Sequence, residues 1–189
     1  MSGSDLLERY FDHFDAPRGS VSDCADRLRK LGIRMCSFEN LTTDQGKPMT
    51  LCGMTLEEIL DAIVERNPGY CWDEPIVGLI NLFPEDSVLD SPVPTVVVRS
   101  KGCRRVLEDN LQISRLGIFL FEEFGDPDGP VIDLDLEHAD FRTALNAIVG
   151  QLEPLVWHVA GRPGAYYLSF TNVPMALSSN ETSPLSCRI

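Results

Sequence analysis

The sequence predicts an α+β protein in two parts. Residues 1–90 read as a helical bundle, and residues 91–189 read as an antiparallel, barrel-like sheet with one helix. Three observations predict this. Apolar side chains recur at helical spacing in three stretches of the first half. After Pro92-Val93-Pro94, short runs rich in Val, Ile, Leu and aromatics alternate with Gly/Pro turns. At 43% apolar and 24% charged residues, a chain of 189 residues can build a sizeable core.

In order, residues 4–14 read as an amphipathic helix on Leu6, Leu7, Tyr10, Phe11 and Phe14, followed by the turn Ala16-Pro17-Arg18-Gly19. Ser20 or Ser22 caps a second helix, with Cys24, Leu28 and Leu31 inward. Arg27, Arg29 and Lys30 lie toward its C-terminus, where the helix dipole favours cations, and Gly32 ends it. Thr55 and Glu58 form a capping box for a third helix on Leu56, Ile59, Leu60, Ile63 and Val64. Pro68 and Gly69 break that helix. Asp73 as N-cap and Pro75 in a first turn then predict a new helix over Ile76–Phe83, with Cys71 in the corner where it begins. Amide groups at such a corner favour a thiolate. In the second half, strands are predicted at 95–99, 104–107, 116–124, 130–134, 155–160 and 165–170, with a helix at 138–149. No internal repeat is evident.

A net charge of −13 argues against a phosphate-backbone binder, so no nucleic acid is expected. The one basic cluster, Arg99, Lys101, Arg104 and Arg105, reads as a solvated strand edge. Six cysteines without a Cys-x-x-Cys pair argue against a zinc site, and no metal or cofactor is expected. Wide cysteine spacing and no signal peptide suggest a reduced, cytoplasmic protein. No apolar stretch approaches the roughly 20 residues of a membrane span.

Several motifs in one order resemble the arylamine N-acetyltransferase family over residues 5–83. They are Tyr10-Phe11 in a first helix, Phe38-Glu39-Asn40-Leu41, Gly46-Lys47-Pro48, and Asn67-Pro68-Gly69-Tyr70-Cys71-Trp72 in the place of the family's nucleophile motif. The resemblance implies a helical domain, a barrel and a third domain that is here reduced or missing. It also implies Cys71 as nucleophile for an acyl thioester such as acetyl-coenzyme A, with Asp133 matching the orienting acid. The family's histidine is absent from Ile113–Phe119, so His158 and His138 stand as candidate bases. Glu39, Tyr70, Trp72 and Phe119 are the expected substrate contacts. The expected function is therefore a diverged biosynthetic enzyme, a cyclase or an amide- or acyl-forming catalyst. It would act on a small acyl or polyketide-like aromatic intermediate beside Cys71. Two alternatives stand beside it: a cysteine-dependent acyl-coenzyme A N-acyltransferase with a non-standard base, and a non-catalytic binding protein. A homodimer is left open.

Overall fold

The computed structural model describes residues 4–41, 46–121 and 128–174. The chain is mixed α/β, mostly strand, and its sheets are not closed. The predicted N-terminal bundle is not found. Helix α1, Ser4–Leu7, is one turn, and Tyr10–Ala16 is strand β1 rather than a helix. Its aromatics find a partner in β3, Met49–Thr55, which pairs antiparallel and sets Phe11 opposite Met54 and Phe14 opposite Leu51. That pairing overrides the weak helical spacing of a short segment.

The two amphipathic helices form as expected. Ser20 caps α2, Val21–Lys30, by accepting from the Asp23 amide. Thr55 and Glu58 close a capping box at α3, Leu56–Arg66. Strand β2, Arg34–Asn40, follows α2. No helix follows Cys71. Tyr70–Ile76 is β4 and Leu79–Pro84 is β5, a hairpin. Pairing along the apolar run Leu79–Phe83 wins over the Asp-x-Pro helix signal.

In the second half β6, Val96–Gly102, pairs antiparallel with β8, Val131–Leu136. Residues 104–107, expected as strand, belong to an irregular helical segment, α4, Cys103–Arg105 running into a wider turn at Val106–Asn110. Strand β7 is short, Ile118–Leu120. Residues 116 and 117, also expected as strand, end a short helical turn, and residues 122–124 lie outside the described residues. Asp140 caps α5, Phe141–Gln151, and β9, Leu155–Arg162, and β10, Ala165–Asn172, form the last hairpin.

These elements are one pattern used twice. β1–α2–β2–β3–α3–β4–β5 is matched by β6–α4–β7–β8–α5–β9–β10. Each unit has an antiparallel two-stranded ribbon, β1/β3 or β6/β8. Each has a parallel pair, β2/β5 or β7/β10, and an antiparallel hairpin, β4/β5 or β9/β10. Both hairpins turn on a dipeptide ending in glycine, Val77-Gly78 and Pro163-Gly164, with φ of +83° and +84°, a region strained for a residue with a Cβ. A trace survives in the sequence at an offset of 85 positions: Leu60-x-Ala62-Ile63-Val64 and Trp72 against Leu145-x-Ala147-Ile148-Val149 and Trp157. Trp72 Nε1 donates to Asp61 Oδ1 and Trp157 Nε1 donates to Asn146 Oδ1, both at 2.9 Å and each reaching back 11 residues. The expectation of no repeat is thus corrected.

The two units join through β2 and β9, which pair parallel, giving a six-stranded sheet β4-β5-β2-β9-β10-β7. Strands from both sides of residue 90 therefore share one sheet. β2, β5 and β9 run one way and β4, β10 and β7 the other. The second unit keeps the strand order of the first but reverses its directions. That is a half-turn about the axis across the strands, and it exchanges the faces. Side chains of β2 and β5 accordingly alternate between two cores. Met35, Ile80 and Leu82 pack with α2 and α3, whereas Cys36, Phe38, Leu79 and Phe83 pack with Phe141, Leu145 and Ile148 of α5. Arg34 adds to the seam, its Nη2 donating to the Val149 carbonyl at the C-terminal end of α5 and its Nη1 bonding Glu153.

Candidate functional site

Cys71 lies on β4, half-buried, and its Sγ–H donates to the Phe83 carbonyl at 3.6 Å. Burial pushes the thiol pKa up. Arg142 opposes that push, while Asp73, Glu85 and Asp90 add to it. Arg142 stacks over the Phe83 ring, 3.7 Å to the centroid, and reaches Asp90 at 3.1 Å and Asp73 at 3.4 Å. Asn81 Nδ2 donates to Asp73 Oδ1 at 2.9 Å. Burial raises the Asp73 carboxyl, with Arg142 and Asn81 pulling it back.

The expected catalytic partners lie elsewhere. His158 sits on β9, three strands from β4, on the opposite face of the sheet. Its Nδ1 is 2.8 Å from Ser37 Oγ, to which Arg29 Nη2 donates at 2.7 Å. Arg29 is itself held by Asp26 and the Met35 carbonyl. Burial, and then the Arg29 charge, push His158 down to about 4. It is therefore neutral near pH 7, hydrogen-bonded to Ser37, and Ser37 is fully buried. His138 has an exposed side chain beside Glu137, just before the Asp140 cap. Asp133 is on the outer face of the β6/β8 ribbon, where it accepts from the Ser100 amide at 2.6 Å.

The expected substrate contacts are dispersed as well. Tyr70 is buried in the α2/α3 core and its hydroxyl accepts from the Asn40 amide. Trp72 points to the same side, away from Cys71. Glu39 is half-buried on β2, opposite Ala160. Phe119 is on β7, at the far edge of the sheet from β4, roughly 24 Å away at ordinary strand spacing. It cannot line a cleft beside Cys71, which corrects that expectation. The basic cluster is neutralised: Arg99 pairs with Asp135, Lys101 with Asp109, Arg104 with Glu108 and Arg105 with Asp128. A cavity of about 330 Å³ beside Lys101 and Arg105 thus has its cations engaged.

The structure instead gathers aromatic side chains on the outer face of β7 and β10. Phe119, Phe121 and Tyr167 are 48%, 70% and 50% exposed. Tyr167 contacts both phenylalanines, with ring centroids 6.2 and 6.0 Å apart. The same face of the parallel pair in the first unit, β2/β5, carries Cys36, Phe38 and Asn81, which are 0%, 1% and 0% exposed. In the first unit that face lies under α5. In the second unit no element among the described residues takes that place. No family model, curated protein or solved structure matches the chain. Function must therefore be argued from this geometry. Sequence reasoning named Phe119 but missed Tyr167, because the strand alternation that exposes it looks the same as one that buries it. It also missed a contact between Cys52 and His13 on the β1/β3 ribbon. Among the described residues no three or more side chains gather as a metal site, and no helix is long and apolar enough to cross a membrane.

Proposed function

We propose that this chain is a non-catalytic binding protein. Its site is the face formed by Phe119, Phe121 and Tyr167. Its partner is a polypeptide that lays an apolar helix face carrying arginine or lysine across those rings. One observation carries the reading: the same face in the first unit is covered by a helix, and that helix brings Arg142 onto the Phe83 ring. The partner would repeat outside the chain what α5 does within it. Exposed rings in contact with one another are the side chains that dominate protein interfaces. A chain of net charge −13 favours a cationic partner. A second copy is disfavoured as that partner, because the outer face of α3 carries Glu57, Asp61 and Glu65 at four-residue spacing.

Titration calorimetry with a synthetic leucine/arginine helical peptide, and with a leucine/glutamate peptide of the same apolar face, tests this. The cationic peptide should bind, and the triple substitution Phe119→Ser, Phe121→Ser, Tyr167→Ser should weaken it at least about tenfold. Equal binding of the two peptides, or of the wild type and the triple variant, sinks the reading. So does sedimentation showing that the same rings join two copies of the chain.

The second reading is the one the family resemblance implies, acyl transfer or cyclisation beside Cys71. Arg142 is the feature beside Cys71 that favours it, acting against burial and the Asp73, Glu85 and Asp90 carboxylates, which together leave the thiol raised. Incubation with acetyl-coenzyme A followed by intact-mass spectrometry decides its acyl-transfer form: an acyl group on Cys71 supports that form, and its absence removes it.

A further inference from the structure

We propose that Cys52 and His13 form a thiol site that exchanges with small disulfides carrying a carboxylate or other anionic group. The register of β1 and β3 sets His13 directly opposite Cys52, both exposed, with Sγ 3.6 Å from Nδ1. At that distance the imidazole can take the thiol proton, and the resulting imidazolium stabilises the thiolate. The other described cysteines differ. Cys24, Cys36 and Cys103 are buried and Cys71 is half-buried; burial pushes the Cys71 thiol up, and Cys36 and Cys103 up to about 12.

A second observation supplies the specificity. His13 also lines a cavity of about 190 Å³, together with Phe14, Asp15, Arg27, Lys30 and Leu31. This is smaller than the roughly 300–1,000 Å³ of a drug-sized site, so it suits one end of a small molecule. Arg27 and Lys30 come from the last turn of α2. The carboxylate facing them, Asp15, already accepts from the Thr50 hydroxyl at 3.0 Å. Two cations against one carboxylate leave a positive pocket beside the imidazole, in a chain that is otherwise strongly acidic.

The step balances without a further reagent. The Cys52 proton passes to His13 Nδ1, and the thiolate attacks one sulfur of the disulfide. The Cys52–sulfur bond forms as the original S–S bond breaks, and the departing thiolate takes the proton back from His13. Cys52 is oxidised to a mixed disulfide, and half of the incoming disulfide is reduced to a thiol.

The test measures modification rates with oxidised glutathione, which is anionic, and with hydroxyethyl disulfide, which is neutral. Peptide mapping assigns the site, and each rate is divided by that of an unstructured cysteine peptide. Cys52 should react with glutathione disulfide at least about tenfold faster than the peptide, and show a smaller gain with the neutral reagent. The double substitution Arg27→Ala, Lys30→Ala should remove the anionic preference, and His13→Gln should slow both reactions. Should the double variant fail to fold, about 1 M salt applied to the wild type serves the same purpose by screening the pocket. A Cys52 rate no higher than the peptide's, or an anionic preference that survives both the double substitution and high salt, overturns the proposal.

Discussion

Compare the outer faces of the two units. In the first, Cys36, Phe38 and Asn81 are sealed beneath α5. In the second, Phe119, Phe121 and Tyr167 stand in solvent. The backbone pairing is the same, so strand geometry does not decide burial. What decides it is whether a helix lies over the face. The half-turn between units carries α5 of the second over the outer face of the first. Among the described residues no element covers that face of the second unit, and its side chains there are aromatic.

The largest effect should come from truncating one phenylalanine on each of these faces. Phe38→Ala should cost about 3–5 kcal/mol, because Phe38 is sealed and packs edge-on against Tyr166 at 5.0 Å. Phe121→Ala should stay within about 0.5 kcal/mol. Urea denaturation of both variants would break the comparison if the two costs came out equal.

A middling effect concerns Asp73 and His158, which hold the same place in β4 and β9. His158 titrates near 4 in the folded chain, below its ordinary 6.5. The unfolded chain therefore binds more protons between those values. His158 contributes up to about 3 kcal/mol above pH 6.5, lost as the pH falls toward 4. Asp73 acts in the other direction: its raised carboxyl contributes most at low pH and loses that contribution as the pH rises through its folded value. Stability measured from pH 7.5 to 4.5 should fall less steeply for His158→Gln than for wild type. Parallel curves would show that the imidazole plays no part.

The smallest effect should be a likeness. Thr55 and Asp140 cap the equivalent helices α3 and α5, each accepting an amide from three residues on. Thr55→Ala and Asp140→Ala should each cost about 1 kcal/mol. Unequal melting shifts would show that the two caps are not energetically equivalent.

Where local chemistry decides structure, the sequence was legible. The caps at Ser20 and Thr55, the stripes of α2 and α3, and the hairpin at Pro163-Gly164 all follow from neighbouring residues. Tyr10–Ala16 did not, since its strand form depends on Met49–Thr55, far along the chain. Cys71 misled for a related reason. Asp73 and Pro75 are a credible helix start in isolation, and only pairing with Leu79–Phe83 makes them strand. The duplication was hidden because few identities survive beyond the Leu-x-Ala-Ile-Val run and the two tryptophans. Of the candidate site, Phe119 was readable but Tyr167 was not, and neither was their exposure, because exposure depends on where α5 lies.

The β2–β9 seam has a consequence for biosynthesis. It ties Ser37 to His158 across 121 positions of chain. During translation the first unit emerges with Cys36, Phe38, Leu79 and Phe83 uncovered, and it stays so until α5 and β9 have been made. Closure of so distant a pairing is slow. A nascent chain arrested near residue 90 would therefore present a greasy, strand-edged surface to chaperones and proteases.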